Sequence, residues 1–566
     1  MAQHLASSFE ANHPDGLQSL KKEVNIRINS QQISGLASSE EEEEDLKSLE
    51  SSTGLSPSPS SPSPSPSSSS FRSPSATPMS SNESGEYSET SSVLDSAVAS
   101  FTESLTDKNL CQQSDLLYHD FKSSLAEDAL AMLPNYNLSP TGEESGSYLV
   151  IDLGGSTLRV AVVDISPDLD LNRKERVKVV IEDKWIISNE YKNIDLNFFK
   201  FIASKTMEIL SKQSAIDSKE LIKTGITWSF PLETTDYNNG NILHVSKGYT
   251  VDPEVHGQNL KSLLETTFLE EFNVEIDVRS ILNDSLAVYS AGLFLNSTMK
   301  LAMVLGTGFN LCCSLNSHEQ KMHSAKLIDD KILFNTELSF FGQGLVPHFM
   351  TKYDGIIDKR LVEAEQRFKA FSKVDPETNS VFQPNELTTS GRYLPELCRL
   401  VIADLWNQKE IFTTFSEQEM DRLLNVSYDG FEGEIMCIVD ECNDYQEINA
   451  KMCKCYNWNK AIPETDIKML KTITAAVIQR AAFIVANSII AFFKLQREFN
   501  TDDQLKGHLS VGFVGSVLVY FHNYRDLVLK YVNSSQDAQR EGYTIDLQLV
   551  ENSSIVGAAI GAAYHS

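Results

Sequence analysis

Residues 148–163 read YLVIDLGGSTLRVAVV. Two apolar runs of strand length are pinched by Gly154 and Gly155, which predicts two buried strands joined through a tight turn. Later apolar runs, Lys223 to Trp228, Val278 to Leu282 and Leu301 to Leu305, each end at a polar or glycine-rich loop, with helical stretches between some of them. That alternation predicts an α/β fold whose functional residues sit where strands run out into loops. A first helix is expected from near Ser92, because Val93, Ala97, Phe101 and Leu105 recur every fourth residue, and a second helical pattern spans Leu116 to Leu125. From Ile473 to Phe493 the chain is a long apolar helix interrupted by Arg480 and Asn487, which predicts a buried interdomain helix rather than a membrane span.

Ahead of this body the chain changes character. Ser51 to Ser80 is almost wholly Ser and Pro and follows the acidic run Glu40 to Asp45, so it cannot bury enough apolar surface to fold. Residues 1–90 are expected to form a disordered, Ser/Pro-rich acidic tail. That tail holds 13 acidic and 5 basic residues, −8 of a net charge of −30, which leaves −22 on the remainder. Nucleic-acid binding by the folded body is disfavoured, since phosphate contacts need clustered Lys and Arg. With 566 residues, 41% of them hydrophobic, and a mean hydropathy of −0.23, the chain can bury a large core. Met1 to Glu10 lacks a basic segment followed by an apolar run, and no stretch reaches about 18 uninterrupted apolar residues, so a cytoplasmic protein without membrane contact is expected. The eight cysteines follow no disulfide framework. Cys437, Cys442, Cys453 and Cys455 are separated by four, ten and one residues, which matches no zinc pattern, and reduced thiols are expected.

The segment from Asp152 to Arg159 lies between the first two strands. Gly154 and Gly155 let the backbone turn and approach a phosphate, Ser156 and its neighbours offer donors, and Asp152 at a strand end can hold a hydrated metal ion; a Gly-Gly hairpin also arises for structural reasons alone. A second glycine loop, Gly306-Thr-Gly-Phe-Asn310, follows the strand ending at Leu305. Two short glycine loops after apolar strands suit opposing domains that grip nucleotide phosphates, and neither has the glycine–lysine spacing of a P-loop. Between them Asp284 ends a strand in Leu282-Asn-Asp-Ser285. Phosphoryl transfer to a hydroxyl needs positioning and one carboxylate to take the proton, and Asp284 is the candidate; an Asp here would equally serve as N-cap of the following helix. Ser229-Phe-Pro231 and Val245-Ser-Lys-Gly248 flank a polar loop in which Lys247 can neutralise a transferring phosphoryl group while Ser229 and Ser246 bond ring hydroxyls. Glu337 and Glu386 sit in polar, helix-starting surroundings, and carboxylates read hydroxyls with defined directions.

In order and spacing these motifs resemble the hexokinase family across roughly residues 95–566. The family's entry segment is echoed by Met132-Leu-Pro, Pro140-Thr-Gly142, Glu144 and Gly146, its sugar loop by SFP at 229–231 and SKG at 246–248, and its catalytic Asn-Asp by Asn283 and Asp284. Its sugar-binding Asn and two Glu fall on Asn310, Glu337 and Glu386, and its adenosine-side Gly-Ser on Gly515 and Ser516.

The resemblance implies two actin-like (ribonuclease H-like) ATPase domains around a cleft that closes on sugar. The large domain would hold 91–146 and 286–550, and the small domain 147–285 and 551–566. Asp284 would be the base and Lys247 the phosphoryl-side cation. Ser229, Ser246, Asn283, Asn310, Glu337 and Glu386 would contact the sugar. Gly154, Gly155, Ser156, Thr157, Gly306, Thr307, Gly515 and Ser516 would surround ATP, with Asp152 holding Mg2+ through water. The chain departs from glucose-using members at Ser156, Thr157 and Leu158, at Val245 in place of Trp, at Val514 before Gly515, and at 552–555. TWSFPLETTDYN, HVSKGYTV, TSGRYLPEL and RAAFIVAN resemble one subgroup, the fungal N-acetylglucosamine kinases of hexokinase type. The implied reaction is phosphorylation of the 6-hydroxyl of N-acetylglucosamine by Mg-ATP. A glucose kinase and a weakly catalytic sugar sensor are the alternatives.

Overall fold

Side chains alternate across a strand, and the alternation of the 148–163 segment is buried on both sides. In the computed structural model, Leu149, Ile151 and Leu153 enter one hydrophobic cluster while Tyr148 and Val150 enter another. The structure describes residues 92–566 apart from 128–130, 138, 189–190, 215, 218, 231, 244–248, 364–381 and 502–504. The expected tail, residues 1–90, lies outside the described residues.

Two main sheets are built, in chain order, from β1 (Leu133–Asn135), β2 (Gly146–Leu153), β3 (Thr157–Ile165), β4 (Val177–Ile186), β5 (Ile222–Trp228), β6 (Ile276–Leu282), β7 (Met299–Leu305), β8 (Phe309–Asn316), β9 (Lys331–Asn335), β10 (Gly507–Val514) and β11 (Tyr543–Leu549). One sheet has the order β6-β5-β2-β3-β4 and the other β1-β9-β8-β7-β10-β11. In the first, β2, β3 and β4 form an antiparallel meander, and β5 and β6 extend it in parallel from β2. In the second, β7, β8 and β9 form the meander, and β10 and β11 extend it in parallel from β7. Apart from β1, one topology is therefore built twice. This is the duplicated actin-like, ribonuclease H-like architecture that the family resemblance implied.

The helices used below are α1 (Val93–Thr102), α2 (Asp107–Ala126), α3 (Asp284–Leu295), α4 (Pro384–Thr389), α5 (Glu464–Phe499) and α6 (Ser553–Tyr564). Helix α1 starts where expected: Ser92 is its N-cap, with its hydroxyl accepting from the Asp95 N–H at 3.1 Å, and Ala97 and Phe101 are buried. Helices α3 and α6 lie between the sheets. Their apolar residues share one cluster with Val150 and Ala161 of the first sheet and Ala302, Cys312 and Leu333 of the second. Close approach requires a glycine here, since a Cβ on Gly557 would stand 2.2 Å from the Ala287 carbonyl oxygen.

The sequence pattern gave the burial of α5 but not its place. It spans 36 residues, and its apolar window is 94% buried. An all-round apolar helix belongs in a core. However, α5 packs against α1, α2 and β8 in the cluster behind the six-stranded sheet. It does not lie between the two sheets, as an interdomain helix would; α3 and α6 do. Arg480 of α5 is fully buried against Asp354, with Nη1 donating to Oδ2 at 2.6 Å and Nη2 to Oδ1 at 2.8 Å. Its guanidinium also lies 4.7 Å from the Phe101 ring centroid, which ties α1 to α5.

Candidate active site

Strands β2, β5 and β6 end side by side: Asp152 pairs with Thr227, and Thr227 with Leu282. The residues that follow these ends are thereby gathered at one edge of the sheet, where ligands of open α/β sheets bind. The Ser229 N–H donates to the Leu153 carbonyl at 3.1 Å. After β6 comes Asn283, whose Oδ1 accepts from the Leu286 N–H at 2.9 Å and caps α3. Asn283, not Asp284, is the N-cap. Asp284 is the first helical residue, its Oδ1 accepting from the Ser285 N–H at 2.8 Å, where the helix dipole favours a negative charge. The carboxylate is thus freed from the capping role that the sequence left open.

Asp152 is buried beside it. Arg159, its antiparallel partner on β3, directs Nε at 2.7 Å and Nη2 at 2.6 Å to the same oxygen, Oδ2. Burial pushes the Asp152 carboxyl up; Arg159 opposes that shift and the nearby Asp284 carboxylate adds to it. A buried carboxylate with a second carboxylate close by favours a cation between them and the solvent.

The second sheet supplies a hydrogen-bonded set of half-buried polar residues. Asn310 Oδ1 accepts from the backbone N–H groups of Leu311 at 2.7 Å and Leu338 at 3.3 Å. Its Nδ2 donates to Asn335 Oδ1 at 2.8 Å, and Asn335 Nδ2 donates to Glu337 Oε1 at 2.6 Å. Ser285 Oγ stands 3.3 Å from Asn335 Oδ1 and 3.1 Å from Asn283 Oδ1, which joins this set to the start of α3. Glu386 on α4 accepts from the Phe309 N–H at 3.2 Å. Glu337 has φ +50°, a left-handed backbone that costs a non-glycine residue roughly 1–3 kcal/mol. Such strain persists where the surroundings over-determine it.

The glycine turns flank these groups. Gly154 closes the β2–β3 hairpin, its N–H donating to the Thr157 carbonyl at 2.9 Å. It does not take a left-handed φ, and a Cβ there would meet Thr157 only at 3.4 Å. The turn itself does not demand a glycine at 154. Gly515 does need to be glycine: it has φ +111°, and a Cβ would lie 2.3 Å from the Leu305 carbonyl oxygen. The 515–516 and 306–308 turns are pressed together in this way, at the ends of parallel strands β10 and β7. Ser516 begins a short helix, Ser516–Tyr520, while Thr307 and Ser156 are exposed and Gly155 and Thr157 partly so.

The structure therefore brings Asp152, Ser229, Asn283 and Asp284 to one strand edge, links Asn310 and Glu337 to Asn283 through Asn335 and Ser285, and places Glu386 against Phe309. Ser246 and Lys247 lie outside the described residues. Asn335, the link between Asn310 and Glu337, was missed as a functional residue. The signal available was its place in Asn335-Thr-Glu337, at the last position of a strand.

Such an array can orient several hydroxyls and present a carboxylate to one of them. Two hexokinase family models match the chain, over residues 95–294 and 300–564. The chain belongs to the hexokinase family. It is 56% identical over 480 residues, 84% of this chain and 95% of the relative, to N-acetylglucosamine kinase 1 of Candida albicans. Identity to hexokinase-1 of Saccharomyces cerevisiae is 25% over 450 residues, 77% of this chain and 84% of that one. Among solved structures, the hexokinase of Schistosoma mansoni complexed with glucose is similar in fold, with a TM-score of 0.65 at 20% identity over 83% of this chain and 99% of that one.

Proposed function

We propose that this hexokinase-family chain transfers the γ-phosphoryl group of ATP to the 6-hydroxyl of N-acetylglucosamine. The observation that carries this reading is the 56% identity to an N-acetylglucosamine kinase spanning 95% of that relative. The geometry supports it.

Phosphoryl transfer asks for little covalent chemistry from a protein, so positioning and charge dominate. Asn310, Glu337 and Glu386 would orient the sugar through its hydroxyls, and Ser229 would bond it from the strand edge. Asp284 would accept the proton of the 6-hydroxyl as that oxygen bonds to the γ-phosphorus and ADP departs. Lys247 would neutralise charge on the phosphoryl group. The turns at 154–157, 306–307 and 515–516 would surround ATP.

The Asp152 carboxylate, held through Oδ2 by Arg159 and close to Asp284, fits a hydrated Mg2+. That ion keeps several waters and is commonly bound by one or two carboxylates together with substrate phosphates. When bound, it would offset the charge on the phosphates. The bodies that close over the sugar would be 91–146 with 286–550, and 147–285 with 551–566.

Parallel measurement of ATP consumption with N-acetylglucosamine and with glucose tests the sugar assignment. The expected result is a kcat/KM for N-acetylglucosamine at least about tenfold higher, since one well-read substituent is worth of order 1–3 kcal/mol. A preference for glucose would make the chain a glucose kinase instead.

A further inference from the structure

Amide oxygen and nitrogen are told apart by their partners, and here the partners settle every member of a chain. The N–H groups of Leu311 and Leu338 only donate, so the Asn310 atom that receives them is Oδ1. Its other end is then Nδ2 and must donate, so the Asn335 atom facing it, 2.8 Å away, is Oδ1. Asn335 is left with Nδ2 for the Glu337 carboxylate at 2.6 Å, and that oxygen must accept. A direction imposed by backbone donors is thus passed through two amides to a carboxylate.

We propose that Asn335 is a positioning residue of the sugar site, which bridges the Asn310 amide and the Glu337 carboxylate and holds them in the orientation in which Asn310 donates to the sugar and Glu337 accepts from it. The inference rests on the sugar-kinase reading above. Asn310 Nδ2 carries two hydrogens, one of which goes to Asn335; the second is the one available to a ligand. A sugar hydroxyl accepts from Asn310 and donates to Glu337, so a hydroxyl that does both is selected over a group that can do only one. Ser285 Oγ stands within reach of both Asn335 Oδ1 and Asn283 Oδ1, and its one hydrogen serves either acceptor in turn.

Asn335→Asp tests this at nearly constant shape. It replaces the donor facing Glu337 with a second carboxylate. Two like charges at that distance raise the upper apparent pKa of the pair. Above that pKa both groups are acceptors and repel. Below it one proton is shared, and the Asp O–H donates to Glu337 as the amide did. Sugar affinity in this variant should therefore improve as pH falls. The titratable groups on elements packed against β9 and the turn after it are Asp284 and Tyr289 on α3, Cys312 and Cys313 on β8 and Glu386 on α4. All five are shared with the parent chain, whose own pH profile is the control.

The experiment is a binding titration of the full chain, its Asn335→Asp variant and its Asn335→Ala variant by intrinsic fluorescence, with N-acetylglucosamine and with glucose. For Asn335→Asp, Kd at about pH 8 is expected to rise about 10- to 100-fold, the loss of a hydrogen bond to a charged group, and to recover at least threefold relative to the parent by about pH 5.5. Asn335→Ala should lose affinity equally at every pH. Thermal melts over the same series should show the Asp variant regaining stability on acidification, which keeps the test decisive if that variant folds poorly at high pH. Parent-like affinity of Asn335→Asp at high pH, or a loss that acid does not relieve, overturns the proposal while the kinase reading stands. A parent chain that binds neither sugar overturns both.

Discussion

Asp284→Asn should lower kcat by about 10²- to 10⁴-fold, the usual worth of a general base, while the melt and the sugar affinity stay close to those of the parent. Retention of the fold is expected because Asn283 Oδ1 caps α3 and that bond is untouched. The amide oxygen of Asn at 284 can still accept from the Ser285 N–H, as Asp284 Oδ1 does at 2.8 Å. Only proton acceptance is removed, and Asp152, turned toward Arg159 through Oδ2, is not positioned to replace it. A thermal melt, a sugar titration and a steady-state assay on one preparation separate the outcomes. Near-normal turnover in a folded variant would reject Asp284 as the base, and a collapsed melt would assign the carboxylate to structure.

The largest effect on stability is expected at Arg480. Both members of the Arg480–Asp354 pair are fully buried, and Arg480 Nη1 donates in addition to the Phe349 carbonyl at 3.0 Å. Asp354 also accepts from the Thr351 N–H at 2.7 Å in a capping box. Removing one partner strands a charge out of water, which costs about 3–5 kcal/mol. Arg480→Met fills similar volume but strands Asp354, and also loses the contact with the Phe101 ring. Its urea midpoint should fall accordingly, whereas kcat per folded molecule should change little, because the pair lies in the cluster behind the six-stranded sheet. A parent-like midpoint would show that Asp354 finds other partners when the guanidinium is gone.

How much of this was legible beforehand depended on the kind of signal. Runs such as 148–151 and 301–305 announced their strands because both faces of each are largely buried, so apolar residues follow without interruption. Tight sites were legible through residue type: Gly515 stands where a Cβ would strike the Leu305 carbonyl. The cap of α3 was not. Asn283 and Asp284 are equally good caps by chemistry, and a one-residue difference in where the helix starts decides which is left for catalysis. The length and place of α5 were also hidden, since its first turns, ETDIKMLK, break the apolar run, and all-round apolarity reports burial without naming the neighbour. Asn335 gave no periodic or compositional sign. Its role follows from three partners that the chain brings together from positions 285, 310 and 337.

The central claim is transfer of phosphate from ATP to a sugar hydroxyl, and product identity tests it most directly. The full chain, incubated with Mg-ATP and N-acetylglucosamine and followed by phosphorus NMR, should form a single phosphomonoester coupled to the 6-position, in step with ADP and only when sugar is present. ADP without a sugar phosphate, or no turnover from a chain that binds both substrates, would contradict the account.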